Sequence, residues 1–568
     1  MKRFALLLLT LLVVAVAHDP GRVAAAPEDA ADTSCKLHDE LSATRRLRRT
    51  ALALLGRIPT MDEYAQASGK ASDDPVFGTI IDEWLKSDDY RLHMRRYHME
   101  LLWTNPAGAA FMDGGHTLFP ITPSQPVWWL PAKQRSKSYR GGNGSHSCQN
   151  VAQTTLQASY LTGDAPVCEP KGSDNVGAYC QEGWVEINPF FDPNITIKVC
   201  AFEAQTAATY IQPNGSNFYN SGTTAPCNQR QARGAKGCGC GPNMRWCLFE
   251  RTYDAKEEIW AAMQEQLLQL VDDHTAGGEP YDEMLTTKKS YSNGILDHYL
   301  KHQAAGNNYT SIFNRPGDDA STLPADPQWF DENWHSVTRP GAHAGILTLP
   351  AYLLRYQTGR ARANRFRIAF LGKYFLPPST DDTDGCSPNA EDLTKRCVCR
   401  GCHQTLEPLT SYFGAFAEAG SSMLTHFAKE TPTIEGCATQ ILPGSNGVCV
   451  RFYRPIEKNS TIVYRINPLE FADDHAEYDT HYDQGPEGIV VDEALKPYGG
   501  KPYSVLAWST SRQLFAFLTR RELSPSIEAG TNEQELLDEL ATAFEESDFD
   551  FKSLSRAIVM LPTFRRMP

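Results

Sequence analysis

The chain has little positive charge to spare: 54 lysines and arginines stand against 68 aspartates and glutamates, a formal net charge of −14. A surface that is acidic overall argues against nucleic acid or an anionic membrane as its partner, because both repel it. Long apolar runs are also missing. Beyond the extreme N-terminus no stretch approaches the roughly 20 apolar residues that a membrane-spanning helix requires. The familiar catalytic signatures are lacking too: there is no G-x-S-x-G nucleophile turn, no H-E-x-x-H zinc helix and no phosphate-binding glycine loop. Hydrolase, metalloprotease and nucleotide-driven chemistries therefore have no foothold of the usual kind.

What is present begins with an export signal. Lys2 and Arg3 precede an almost unbroken apolar run from Phe4 to Ala17, too short to span a bilayer and of the length of a signal core. Ala15-Val16-Ala17 offers a cleavage site before His18, and Ala24 to Ala26 a second, so residues 1–26 are assigned to the signal peptide. The mature chain is then expected to carry no transmembrane segment and to lie outside the cytoplasm, in the periplasm, at the cell surface or beyond it. Cysteine usage agrees. Fifteen cysteines in 568 residues suit an oxidising compartment, where most should pair as disulfides. They fall into groups: Cys148, Cys168, Cys180, Cys200, Cys227, Cys238, Cys240 and Cys247, then Cys386 to Cys449, with Cys35 standing alone. The turn Gly237-Cys-Gly-Cys-Gly-Pro, closed by Cys247, suits disulfides better than a metal site.

One segment of the second group carries chemistry. Cys399-Arg400-Gly401-Cys402-His403 reads as C-x-x-C-H, the attachment signal of a c-type haem. Two thiols one helical turn apart reach the two vinyl groups of one porphyrin, and the following histidine comes under the iron as an axial ligand. Two other chemistries compete. Cys397 and Cys399 could be disulfide partners, or Cys397, Cys399, Cys402 and His403 could surround zinc, although adjacent Cys402 and His403 are poorly disposed to face one tetrahedral ion. The haem reading predicts one covalent haem c, with Cys399, Cys402 and His403 as its binding residues and His403 as the proximal iron ligand. Met423 is a candidate distal ligand, with His426 beside it and His475, His481 and Met560 farther off. Glu407-Pro408-Leu409 is expected to turn the chain after the haem helix.

Patterning divides the chain further. At roughly 100–200 residues per domain, 568 residues hold about three or four domains. Helical periodicity marks 27–104 as a helical module of three short helices, the second through Phe77, Ile80, Ile81, Trp84 and Leu85. His93 and His98 in the third helix are expected to be satisfied by their neighbours. Residues 105–250 read as a cysteine-rich module of loops and short strands, 251–378 as a helical module and 379–503 as the haem domain with a cysteine-bounded insert. Within the last, Cys437 to Tyr503 should be mostly turn and short strand. Residues 504–568 form a C-terminal helical module. The fold class is thus mainly α and multi-domain: helical modules including a cytochrome c-like haem domain, plus a loop-rich disulfide-bonded module.

The order of these pieces resembles the planctomycete-type cytochrome c family. Leu47-Arg48-Arg49, Gly56, Pro59, Thr60, Leu85 and Tyr90 are similar to its amino-terminal module. Arg339-Pro-Gly-Ala342, Gly345-Ile-Leu347, Gly372 and Pro377-Pro378 are similar to the approach to its haem motif, and Cys399-x-x-Cys402-His403-x-x-x-Glu407-Pro408-Leu409 with Phe416 and Gly420 to the motif itself. Thr410 stands where the family usually has Gly, and Glu407 where it has Asp. The resemblance implies an exported c-type haem protein. The expected function is extracytoplasmic electron transfer by a mono-haem cytochrome to an unnamed redox partner protein, rather than an enzyme. The alternatives are a haem enzyme with an open distal site, oxidase- or peroxidase-like, and a secreted disulfide-rich interaction protein with an accessory haem domain. Produced with its signal in a haem-maturing host and then denatured, the chain should retain haem stain; a colourless band would sink the attachment reading.

Overall fold

The computed structural model describes residues 40–105, 116–122, 125–130, 147–153, 168–169, 179–180, 182–211, 224–228, 237–249, 255–303, 323–339, 341–374, 385–388, 390, 392–416, 453–455, 463–465, 477–523 and 532–565. Cys35, Met423, His426, Cys437, Cys449 and His475 lie outside the described residues, as does the signal segment.

Four helices open the described chain: α1 (Ala43–Leu54), α2 (Met61–Ala67), α3 (Val76–Trp84) and α4 (Asp88–Leu102). Three were expected, and α2 is the addition. It has a capping box, in which the Thr60 hydroxyl accepts from the Glu63 amide while the Glu63 carboxylate accepts from the Thr60 amide, and this nucleates a helix too short to show periodicity. Ser42 and Ser87 cap α1 and α4 through their hydroxyls. Farther along come α5 (Ala255–Asp272), α6 (Gly294–His298), α7 (Pro350–Arg355), α8 (Gly359–Leu371), α9 (Arg400–Ser411), α10 (Glu477–Ile489), α11 (Val505–Thr519), α12 (Asn532–Glu546) and α13 (Phe551–Met560).

The chain is mainly helical, and these helices bury one continuous apolar core that runs from Ala43 to Phe564. Helix α5 lies along its middle, with Ile259, Met263, Leu267, Leu270 and Val271 fully buried. Charge fixes how α4 lies against it. Arg95 donates to Glu265 at 2.9 Å and to Asp272 at 2.7 and 2.8 Å, and Arg91 adds a 2.9 Å contact to Asp272. The two ends of the described chain meet where the Leu41 amide donates to the Arg565 carbonyl at 2.8 Å. Nearby, Tyr90 Oη and Ser555 Oγ are 2.9 Å apart.

Among the described residues between 105 and 250 the expected short strands are present, and most of them join into one sheet. Strands Trp184–Ile187, Ile197–Cys200, Gln125–Trp129, Thr117–Thr122 and Leu248–Phe249 form a five-stranded mixed sheet in that spatial order. Leu118, Trp128, Ile197, Val199 and Phe249 pack together with Cys240 and Cys247 as its core. Disulfides Cys148–Cys200, Cys227–Cys238 and Cys240–Cys247 staple it, as the glycine-rich turn suggested. Gly241 has φ +73° and faces the Trp246 ring, where a Cβ would come within 2.4 Å, so a side chain is excluded there.

The expectation of turn and short strand up to Tyr503 needs correction. Strands Tyr453–Pro455 and Val463–Arg465 do pair, antiparallel, but 477–494 is helical, with Gly485 at φ +65° and Pro486 inside it. Its glycine, proline and aspartate content argues against a helix. That content is accommodated by a break: Gly485 is non-helical and separates two helical stretches, the second opening at Pro486. The first packs on α9, where His481 stacks on Tyr412 with ring centroids 4.2 Å apart and Tyr478 is buried.

His98 behaves as expected, with Nδ1 donating to the Met94 carbonyl at 2.9 Å and Nε2 3.0 Å from Tyr281 Oη. Burial lowers its pKa from 6.5 to about 4, and burial, then Arg96 and Arg520, do the same to His93. Both stay neutral in the fold while the unfolded chain takes up protons. The stability they contribute is complete above pH 6.5 and is lost as pH falls towards 4. A fully buried imidazole of this kind is worth on the order of 3 kcal/mol across that window. Thermal unfolding should therefore fall steeply between pH 7 and 4.5, with a shallower slope in His98→Gln. An unchanged slope would remove His98 from the account.

Candidate cofactor site

The approach to the C-x-x-C-H segment is a tied loop. Cys386 and Cys397 form a disulfide. Within the loop the Ser387 amide donates to Lys395 O at 3.0 Å, the Cys397 amide donates to Ser387 O at 3.3 Å, and Asp392 Oδ1 accepts from the Thr394 amide and hydroxyl. Val398 then takes the left-handed conformation at φ +68° with its side chain exposed, a strained choice for a β-branched residue. It redirects the chain from the disulfide into α9. Cys399 occupies the N-cap, and its carbonyl accepts from the amides of Cys402 and His403 at 3.2 and 3.0 Å. This first turn sets Cys399 and Cys402 one turn apart with His403 next to them.

Both thiols are free and half-buried. Of the cysteines whose side chains are described, they alone are unpaired; Cys148, Cys200, Cys227, Cys238, Cys240, Cys247, Cys386 and Cys397 are all in disulfides. The bond to Cys386 removes Cys397 from any zinc set with Cys399, Cys402 and His403, and from a bridge to Cys399.

His403 is held from behind. Its Nδ1 donates to Glu407 Oε1, one turn along α9. Glu407 is 4 % exposed, and Arg360 on α8 grips it in a bidentate pair, with Nε to Oε1 at 2.6 Å and Nη2 to Oε2 at 3.0 Å. Arg360 is held in turn by α8, whose N-terminus Thr358 caps through its hydroxyl. The buried Tyr478 phenol faces the same charge: its pKa is raised by burial, then by Glu407 and Asp392. An ionised carboxylate only accepts, so the proton sits on Nδ1 and the lone pair of Nε2 is left for a ligand. Arg367, seven residues beyond Arg360, feels the Cys402 sulfur electrostatically, although burial is the larger influence and lowers its pKa.

Glu407 is thus more than a turn residue. The helix continues through Pro408 to Ser411, and Leu406 and Leu409 bury its inner face. Two of the remoter ligand candidates are engaged elsewhere. His481 Nδ1 donates to the Pro408 carbonyl at 3.1 Å and lies 3.0 Å from Ser411 Oγ, at the far end of α9. The Met560 sulfur accepts from Arg46 at 3.5 Å. Arg360 and Tyr478 escaped sequence reasoning, because they belong to other elements and sit in no motif.

These residues fit a covalently attached haem. Two free thiols stand one turn apart on a helix, and the adjacent imidazole is fixed through Nδ1 by a carboxylate, as metal-ligating histidines commonly are. Among the described residues the cluster of three metal-ligand side chains is elsewhere, at Glu182, Cys200 and Glu203, and there Cys200 is in a disulfide. No family model, curated protein or solved structure matches this chain.

The buried Arg360–Glu407 pair makes the site stability-critical. Removing one partner leaves the other charge uncompensated, at a cost of about 3 kcal/mol. Glu407→Gln and Arg360→Met should each shift urea unfolding by that order, and the double variant by much less than the sum. Strict additivity would show that the pair is not coupled.

Proposed function

We propose that this chain is an exported mono-haem c-type cytochrome related to the planctomycete-type family, with haem thioether-linked to Cys399 and Cys402, and that it transfers electrons outside the cytoplasm to a partner protein. The observation that carries this reading is the pair of free thiols at one end of α9, beside a histidine anchored through Nδ1, while the other cysteines whose side chains are described are closed in disulfides. Disulfides suit an oxidising compartment, and among the described residues no helix is long and apolar enough to cross a membrane. When bound, the haem supplies one-electron chemistry at its iron. The chain's own residues position and tune it. Cys399 and Cys402 fix it covalently, His403 offers Nε2 as the proximal ligand, and Glu407 holds the ring's tautomer and orientation. Arg360 pairs with Glu407 in its buried setting and fixes where that carboxylate points.

The contact with Glu407 makes His403 a stronger donor than a histidine bonded to a neutral group, which stabilises the oxidised metal and lowers the potential. The same contact favours the runner-up, an oxidase- or peroxidase-like enzyme with an open distal position. Met423 as sixth ligand belongs to the electron-transfer reading. Under that reading the reduced protein has a low-spin spectrum that carbon monoxide leaves unchanged, Met423→Ala makes it responsive, and Glu407→Gln raises the potential. Carbon monoxide binding by the unaltered protein would turn the assignment towards the open-site enzyme. Cys399→Ala should reduce attachment to one thioether at most, read from the mass of the denatured chain.

A further inference from the structure

Where the sheet meets the helical body, two histidines share one side of a short helix that has no part in the haem proposal. His298 ends α6, and the chain continues through a π-helical turn at Tyr299–Gln303, which carries His302. Residues four apart on such a helix lie one turn apart on the same side, and π turns concentrate at functional sites. His298 is 2 % exposed, yet neither of its ring nitrogens has a hydrogen-bond partner, and His302 Nε2 has none either. Buried polar atoms left unpaired are rare, and an ion accounts for them as well as a water does.

The spacing of the rings is informative. Their centroids are 5.0 Å apart with planes at 64°. With metal–nitrogen bonds of about 2.0 Å and a nitrogen about 1.2 Å from its ring centre, an ion shared by both rings would lie about 3.2 Å from each centroid. Once one nitrogen of each ring is turned to a common ion, a separation of 5.0 Å has the two ligands subtend about 100° there, close to the tetrahedral angle of zinc sites. A linear two-coordinate ion would need about 6.4 Å on the same bond lengths.

We propose that His298 and His302 form a binding site for a late first-row transition-metal ion, zinc or copper(I), in tetrahedral geometry with its remaining positions open to exogenous ligands. Imidazole nitrogen suits both metals. The rings are in the neutral form that ligation requires, since burial lowers both pKa values, to about 4 for His302. Phe190 stacks on His298 at 4.2 Å and Trp329 meets it edge-on at 5.4 Å, giving the site an apolar wall. The neighbouring cations are tethered: Arg245 pairs with Asp326 at 3.6 Å, and Lys301 donates to the carbonyls of Pro324 and Ala325. They favour an anionic co-ligand on the ion, such as hydroxide or a carboxylate.

The test uses the full chain, with Cys399 and Cys402 alkylated or occupied, after dialysis against chelator. Titration with zinc(II), and with copper(I) under reducing conditions, should show one equivalent bound. His298→Phe, which keeps the ring packing, and His302→Gln should each weaken binding at least 10-fold, with circular dichroism unchanged. Cobalt(II) substituted into the site should give the intense visible bands of a tetrahedral centre. If His298→Phe does not fold, the half-buried His302→Gln decides alone. Equal binding by wild type and a His298→Phe/His302→Phe double variant, or no binding of either metal, would mean an aromatic packing cluster only and overturn the proposal.

Discussion

The carboxylate of Glu407 is the group on which the arrangement around α9 depends. A charge 4 % exposed is tolerable only if its partners repay the lost hydration. Arg360 does so from α8 and His403 from within α9, so one buried anion ties the two helices together and orients the imidazole at once. Loss of that charge would leave Arg360 without a counter-ion, Tyr478 in altered surroundings and His403 free to turn. The geometry of the C-x-x-C-H turn therefore rests on an ion pair between residues 47 positions apart in sequence.

The same economy appears on a larger scale. The helices share one core, in which Arg95 locks α4 to α5 by reaching two acids that lie two turns apart on α5. The sheet has a core of its own, on which Phe191 packs edge-on to Phe249, and it meets the helical body where Phe190 lies against His298 and Trp329. Apolar stacking and charge clamps thus divide the task, the first between sheet and helices, the second between helices.

Legibility in the sequence followed the range of the interactions. Helices α3, α5 and α12 show as apolar stripes because a periodic face must be buried against a neighbour. The start of α9 shows because two thiols and an imidazole at that spacing are a chemical pattern. Helix α2 needed its capping box to be read rather than its periodicity. Helix α10 is two stretches that meet at the non-helical Gly485, and the first of them lies on α9 against Tyr412. No local signal could announce that. Nor could Arg360 be matched to Glu407, the strands be placed in order across the sheet, or Cys397 be paired, since several pairings satisfy the same spacing.

The disulfide between Cys386 and Cys397 has a chemical consequence. Cys397, Cys399 and Cys402 lie within six residues, and in an oxidising compartment any two of them could be joined. Closure over a separation of 11 residues carries a small entropic cost and occupies the thiol nearest to the free pair. The bond acts as a protecting group does in synthesis: it masks one of three similar nucleophiles and leaves the other two as free thiols.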